Sequence, residues 1–531
     1  MPKIPPTKIL LLGSTLAAHT AIQAFAKPLK QGQVDVTVLS ESNHCLLPEL
    51  MVEMITGHIG PHNVMESARR LLHPAALHIA EIEQINLAQR KIDTYHSLNG
   101  RRQTLAYDHL IIAVSPECET HAYPGFLEHG YRLLTYEEAV RLRNRIITLM
   151  ELGDGCSDDA ERKDLLRFVV VGSGCPGVEL ACYLAEYQRQ LIKQEYDQIR
   201  PEECQVILLD SGSEILTDLK PLMNEATRQK IVQYTHEQFK RLGIHYIPNV
   251  GLKAITDQYA ALNNGERIPS RAIIVTDAAC PPQYLQQVLP NKNSLRTNNF
   301  LQLEGSDNVW LIGDYARIGL PATQSSPVWK SRQTTAETVT TNILRHLKGD
   351  ELLHHQPLPG DFFLPLGADA AAGIVNGQLL TGQPALRQRQ KQVMRLIPRW
   401  DRRIRLRADR AIWGKIGHDI VAMETRKDSH YDILHIHAED GTILHRPGQH
   451  CQHTYSLLTG QVQISCDGLL LHTLQPGDHF GSGTGFDLSD KTVIAKGKTT
   501  ILQTPIGQRD DLNLIFSSLE NIQPSGDHPH V

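Results

Sequence analysis

Between Thr7 and Phe25 the sequence TKILLLGSTLAAHTAIQAF passes from an unbroken apolar run to an apolar pattern of helical spacing. A run apolar on both faces suits a buried parallel strand. The pattern therefore predicts a strand over 7–13, a helix near 16–27 and a second strand at 34–40, VDVTVLS. DHLIIAVS (108–115) reads as a further buried strand, and TYEEAVRLRNRIITLMELG (135–153) as a helix. After the polar stretch 154–164 the scheme repeats: LRFVVVG, a helix from about Pro176, then CQVILLD at 204–210. RAIIVTDA (271–278) and NVWLIGDYA (308–316) follow as strands, and a helix over 331–349 brings the chain back. Beyond about residue 425 the texture changes to short strands with turn signals every eight to twelve residues, which predicts an antiparallel roll. The expected fold class is α/β, two dinucleotide-binding (Rossmann-like) lobes followed by an all-β roll.

Composition adjusts this picture little. A chain of 531 residues has room for two to four domains, and 41% hydrophobic with 21% charged residues is globular. A net charge of −5 argues against nucleic acid as a partner. The nine cysteines include no C-x-x-C pair, which disfavours a zinc ribbon or a redox dithiol and suits reduced thiols in a cytosol. The N-terminus runs into the first strand without a signal peptide, and no apolar stretch approaches the roughly 20 residues of a spanning helix. The chain is expected to be soluble or to lie on a membrane surface.

Two strand–turn–helix junctions carry the candidate chemistry. In VVVGSGCPGVELA the glycines Gly172, Gly174 and Gly177 complete G-x-G-x-x-G: a tight turn, a close approach to a pyrophosphate, and tight helix–strand packing. Asp210 ends the next strand, where an acid accepts from a ribose 2′-hydroxyl and repels a 2′-phosphate. No Arg or Lys follows in DSGSEIL, so NADH is expected over NADPH. A glycine-rich turn without a dinucleotide is the plain alternative. At the first junction Gly13 is present, but Thr15 and Ala18 stand at the second and third glycine positions. Ser40 occupies the place of the ribose acid, with Glu41 one residue on, and AVSP (113–116) supplies no turn glycine.

The ensemble resembles a type II NADH dehydrogenase (NADH:quinone oxidoreductase) of the kind found in cyanobacteria and plastids, a flavoprotein reductase with two dinucleotide folds. Four stretches carry the likeness over residues 7–410: NHCLLPELMVEMITGHIGPHNV (43–64), YPGFLEHGYRLLTYEEAVRLRNRI (123–146), RFVVVGSGCPGVELA and NVWLIGDYARIG. The resemblance implies FAD and NADH as cofactors and a quinone as electron acceptor. It places Glu179 beside the reacting rings as the catalytic candidate; an ordinary first-turn acid is the other reading. It assigns FAD to Gly13, Thr15, Ala18, Glu41, Gly313 and Asp314, and NADH to Gly172, Gly174, Gly177 and Asp210. No metal is implied. The changes at Thr15, Ser40 and 113–116 all fall on the path of one cofactor, which keeps an alternative in view: an NADH-binding regulatory or redox-sensing relative with weak or lost flavin-dependent activity. A homodimer remains open.

Residues 385–416 carry eleven Lys and Arg against two Asp, interleaved with apolar residues and split by Pro398 into two helices. Such a segment suits an anionic membrane surface and predicts peripheral attachment to the cytoplasmic, inner face. The segment 446–481 resembles a cyclic-nucleotide-binding domain. Ser482 replaces its ribose acid, and Asp490-Lys491 stand where its phosphate-pairing Arg is expected, so the fold is predicted without the ligand. His435, His437, His450, His453 and His479 lack a metal-site spacing. The expected organisation is an FAD-type lobe over 1–165 and 291–384, an NADH lobe over 166–290, the basic segment 385–416, the roll 425–520 and a disordered tail 521–531.

Overall fold

The computed structural model describes residues 5–96, 101–115, 117–118, 123–276, 279–286, 296–316, 329–356, 361–416, 434–445, 447, 453–466, 468–481, 488 and 490–505. The chain divides into two compact units, Met1–Ala422 and Met423–Val531.

The first lobe is a parallel sheet in the order 309–311, 109–112, 7–12, 34–40, 76–79. Its central strand, Thr7–Leu12, is buried from Ile9 onward, in one core with Ala17, Ala21 and Phe25 of the following helix and with Ile85 and Ile92 of the antiparallel strands 81–86 and 91–96. Helix α1 (Leu16–Lys30) crosses to the second strand and presents Ala17, Ala18 and Ala21 to the core, small residues that let it sit close. A short helix α2 (Met51–Ile55) follows, buried along its whole length. Helix α3 (Tyr136–Gly155) starts with a capping box, Thr135 and Glu138 exchanging bonds, which fixes its first turn. The polar stretch after it does not stay a connection: Asp158 caps a further helix, Asp159–Leu165.

The second lobe repeats the scheme with parallel strands in the order 130–131, 272–275, 167–171, 205–209, 245–247. Helices α4 (Cys175–Gln194) and α5 (Glu225–Leu242) flank it. Helix α6 (Trp329–His346) then packs along α1, returning the chain to the first lobe. Residues 362–381 form their own antiparallel three-stranded sheet, which packs on α5 and on helix α7 (Gly382–Leu396). Pro398 separates α7 from helix α8 (Trp400–Ile416), as its missing N–H requires.

The second unit is a β-roll. Strands 434–438, 492–505, 453–466 and 469–474 form one antiparallel sheet, with 443–445 and 479–481 paired onto its long members. Leu457, Val462, Ile464, Phe480 and Val493 fill its interior, and Phe480 stacks on Tyr455.

Candidate functional site

Strand 167–171 ends in Gly172 at φ +99°, a left-handed conformation that side chains resist. A Cβ on Gly177 would lie 1.8 Å from the Gly172 carbonyl oxygen, so helix and strand meet at a distance only glycine allows. Asp210 closes the loop. One carboxylate oxygen accepts both the N–H and the hydroxyl of Ser173, and the other accepts the Gly212 N–H at 2.7 Å. The acid expected to meet a ribose thus clasps the fingerprint turn.

Glu179, one turn into α4, faces three other segments. Arg389 of α7 reaches its carboxylate at 3.3 Å, donates to the Glu49 carbonyl at 2.6 Å and pairs with Glu53 of α2. Glu53 also receives both Nε and Nη2 of Arg410 of α8 at 2.9 Å. Burial pushes the Glu179 carboxyl up to about 7; Arg389 opposes the rise, and the negative charges of Glu53 and Glu49 reinforce it. Burial also penalises the Glu53 carboxylate, but Arg410 and Arg389 outweigh it and hold that group below its ordinary range. Tyr183 lies buried one turn further along α4, with the His58 ring edge-on to it at 5.5 Å. Neither Glu53 nor its two arginines stood out in the sequence. Their only signal was the density of cations in 385–416.

That density was read as outward-facing, and the structure corrects the reading for part of it. Arg389 is buried, Arg402 reaches Glu66 at 3.3 Å and the His62 carbonyl at 2.8 Å, and Arg410 turns to Glu53. Leu406 faces inward and is fully buried, whereas Trp400, Ile404 and Ile412 are 72%, 55% and 49% exposed. Helix α8 thus presents an inner, ion-paired face and an outer apolar stripe, with Arg405 and Arg407 exposed beside the stripe. Among the described residues no helix is long and apolar enough to cross a membrane.

At the first lobe Gly13 (φ +97°) is packed on the next strand; a Cβ there would lie 2.7 Å from the Ala113 carbonyl oxygen. Gly313 (φ +77°) comes close to Ala17 of α1 on the other side. Thr15 caps α1: its hydroxyl donates to the Ala113 carbonyl at 3.0 Å and accepts the Ala18 N–H at 3.3 Å. Ala18 is wholly buried. Ser40 is buried as well, and its hydroxyl meets Ser14 at 2.9 Å, while Ser14 donates to the His44 carbonyl at 2.7 Å. Glu41 is exposed, and the Asp314 side chain lies outside what is described. The frame fits a dinucleotide, because two left-handed glycines bracket the N-terminus of α1 above a cleft lined by Leu46, Val114 and Ser115. What changes is the donor count, since Thr15 uses one helix N–H that a phosphate oxygen would take.

A larger cavity of about 410 Å³ lies among α1, α6 and the α7–α8 junction, with Leu16, Thr20, Glu49, Gln333, Arg395 and Pro398 on its walls. In the roll, Asp490 and Lys491 pair with each other at 2.9 Å, while Ser482 and His450 lie outside the described residues. His479 contacts Ser456 at 2.8 Å, and no cluster of three or more His, Cys, Asp or Glu able to hold a metal occurs among the described residues.

Residues 7–340 match the family model of pyridine nucleotide-disulphide oxidoreductases, and residues 435–512 that of the cyclic nucleotide-binding domain. The chain is 27% identical over 336 residues to the external alternative NAD(P)H-ubiquinone oxidoreductase B4 of Arabidopsis thaliana, covering 59% of this chain and 54% of that protein. It is 25% identical over 357 residues to the type II NADH:quinone oxidoreductase NdhA of Mycobacterium tuberculosis, covering 65% and 73%. The match thus spans about half the length of the plant relative. Among solved structures, NDH2 from Plasmodium falciparum superposes with a TM-score of 0.67 at 16% identity, covering 78% of this chain and all of that one. The sulfide:quinone oxidoreductase of Aquifex aeolicus reaches 0.59 at 15% identity, covering 75% and 92%. These likenesses establish the fold. With the family match extending over more than half of its length and both nucleotide lobes in place, the chain belongs to the pyridine nucleotide-disulphide oxidoreductases.

Proposed function

We propose that the protein is an FAD-dependent NADH:quinone oxidoreductase working at a membrane surface, on the cytoplasmic face. The observation that carries this reading is the ionic chain Glu179–Arg389–Glu53–Arg410. It joins the helix of the intact nucleotide fingerprint to the one helix whose outer face exposes Trp400, Ile404 and Ile412. The names borne by the Arabidopsis and Mycobacterium relatives support the same activity and give no support to a purely regulatory role.

FAD, when bound, supplies the two-electron chemistry between nicotinamide and quinone. The residues of this chain bind and orient around it. The loop Gly172–Gly177 and the N-terminus of α4 receive the NADH pyrophosphate, and Asp210 receives the ribose hydroxyls. Gly13, Thr15 and Gly313 would hold the flavin nucleotide's phosphates at the start of α1, buried Ala18 would let that helix pack close, and Glu41 and Asp314 would be further contacts. Glu179, its carboxyl raised to about 7, holds and releases a proton near neutrality, which suits a reaction that ends in a protonated quinol. The 410 Å³ cavity ends at Arg395 and Pro398, just before the exposed Trp400, and offers a quinone ring a path from the lipid surface. Cations beside an apolar stripe favour the anionic inner leaflet.

The test is the colour of the purified chain and its response to NADH. Flavin absorbance that bleaches with NADH and returns on adding a short-chain quinone is the expected result. A colourless chain that takes up no FAD on reconstitution refutes the assignment. Trp400→Ser together with Ile404→Ser should reduce binding to anionic vesicles at least tenfold, given roughly 25 cal/mol per Å² of apolar surface; unchanged binding refutes the membrane face.

A further inference from the structure

The intact fingerprint contains a competitor for its own ligand. Gly174 is the glycine whose missing side chain lets backbone approach a pyrophosphate. The atoms nearest the space a Cβ would fill there belong to Asp218, with Oδ2 at 3.3 Å and Cγ at 3.5 Å. The same Oδ2 accepts the Cys175 N–H at 2.9 Å. Cys175 opens α4, and Pro176 after it has no N–H to offer. The Val178 N–H is already bonded to the Gly174 carbonyl at 3.0 Å. Of the four positions before it only Gly174, Cys175 and Gly177 therefore have an N–H for an anion, and Asp218 occupies that of Cys175.

The placement is built rather than incidental. Asp218 rides on a single 3₁₀ turn, Thr217–Leu219. Leu216 before it is fully buried and left-handed at φ +55°, a conformation a leucine adopts only under constraint. Its N–H donates to the Ser173 carbonyl at 2.9 Å, tying the turn to the fingerprint loop. Arg228 holds the segment from the other side through the Ile215 carbonyl at 3.2 Å and Glu214 at 2.7 Å.

We propose that Asp218 sets nucleotide affinity in this lobe: its carboxylate holds the pyrophosphate seat and must leave when NADH binds. The proposal rests on reading this lobe as the NADH site. Carboxylate and pyrophosphate share a sign and seek the same donors, so one seat does not hold both. The observed affinity is then a difference between two anions for one helix terminus. Only ligands that carry the pyrophosphate have to displace Asp218.

The test titrates the full-length chain and its Asp218→Ala and Asp218→Asn variants by calorimetry with NADH, ADP-ribose and adenosine. Asp218→Ala should bind NADH and ADP-ribose about tenfold more tightly, on the scale of one charge-assisted hydrogen bond. Asp218→Asn, isosteric and uncharged, should gain less, and adenosine binding should not change in either. The ligand-free Asp218→Ala chain should also melt at a lower temperature because α4 has lost its cap, a loss of stability paired with a gain in affinity that a merely structural residue would not produce. Unchanged or weaker NADH binding in both variants, beside normal binding by the parent chain, overturns the role of Asp218 and leaves the NADH site standing. Equal tightening toward adenosine also overturns it, because the gain would then come from general loosening. Failure of all three chains to bind NADH overturns both readings.

Discussion

Replacing Arg389 with methionine removes the guanidinium that joins Glu53, Glu179 and the Glu49 carbonyl while keeping most of the side-chain volume. Arg389 is 4% exposed and Glu53 5%, so the pair lies in the regime where breaking one partner costs roughly 3–5 kcal/mol. Arg410 keeps its two bonds to Glu53, which puts the expected cost near the lower end, about 3 kcal/mol. Denaturant unfolding of the parent and variant chains measures it. The same change removes the one positive neighbour holding the Glu179 carboxyl down, so its midpoint should rise above about 7. The sign follows from linkage. A carboxyl raised in the folded state binds a proton that the unfolded chain releases, so its contribution to stability is lost as pH climbs from the ordinary carboxylate range through the folded value. In Arg389→Met that loss should extend to higher pH, and the pH profile of NADH oxidation should shift upward with it. A variant within 0.5 kcal/mol of the parent, with an unmoved profile, would refute the network as drawn.

Three further outcomes follow from the same geometry. Thr15→Gly frees the Ala18 N–H and opens the approach to α1, so the chain should retain flavin through dilution severalfold longer; equal or faster loss counts against Thr15 as a competitor for the phosphate. Asp210→Ala should relax discrimination against NADPH and also lower the melting temperature, because the clasp on Ser173 and Gly212 is lost with the ribose acceptor; unchanged cofactor preference would remove Asp210 from the site. Calorimetry of the full chain with cyclic AMP should give no saturable heat, since Asp490 and Lys491 pair with each other where an arginine is needed; a saturable isotherm would sink this.

The two lobes were legible because each announces itself twice, through apolar runs such as Ile9–Leu12 and Phe168–Val171 and through a glycine that only one backbone conformation explains. The antiparallel strands 81–86, 91–96 and 101–106 were not read, because most of their side chains are exposed or half-exposed and leave little periodic signal. Helix 159–165 hid for the related reason that its residues are almost all charged, and only the Asp158 cap marks it. Cation density in 385–416 located the helices but not their facing. Arg389, Arg402 and Arg410 find carboxylates at positions 53, 66 and 179, and nothing in a linear chain reports a partner more than two hundred residues away. Asp218 escaped notice for want of any motif around it; its position depends on a turn shape set by Leu216.

The first sheet draws its edge strand from residues 309–311, about two hundred positions beyond the neighbour at 109–112. The second lobe lies wholly between, with its strands running from residue 130 to 275. A ribosome therefore delivers every strand of the inner lobe before it delivers the piece that completes the outer one. Arg389 of α7 meets Glu53 across 336 positions and Arg410 of α8 meets it across 357, so both pairings wait for chain made after the two lobes. Connectivity thus sets the order in which pieces become available: the strands of the inner lobe are all present before the outer sheet can close its edge, and α7 and α8 come after both.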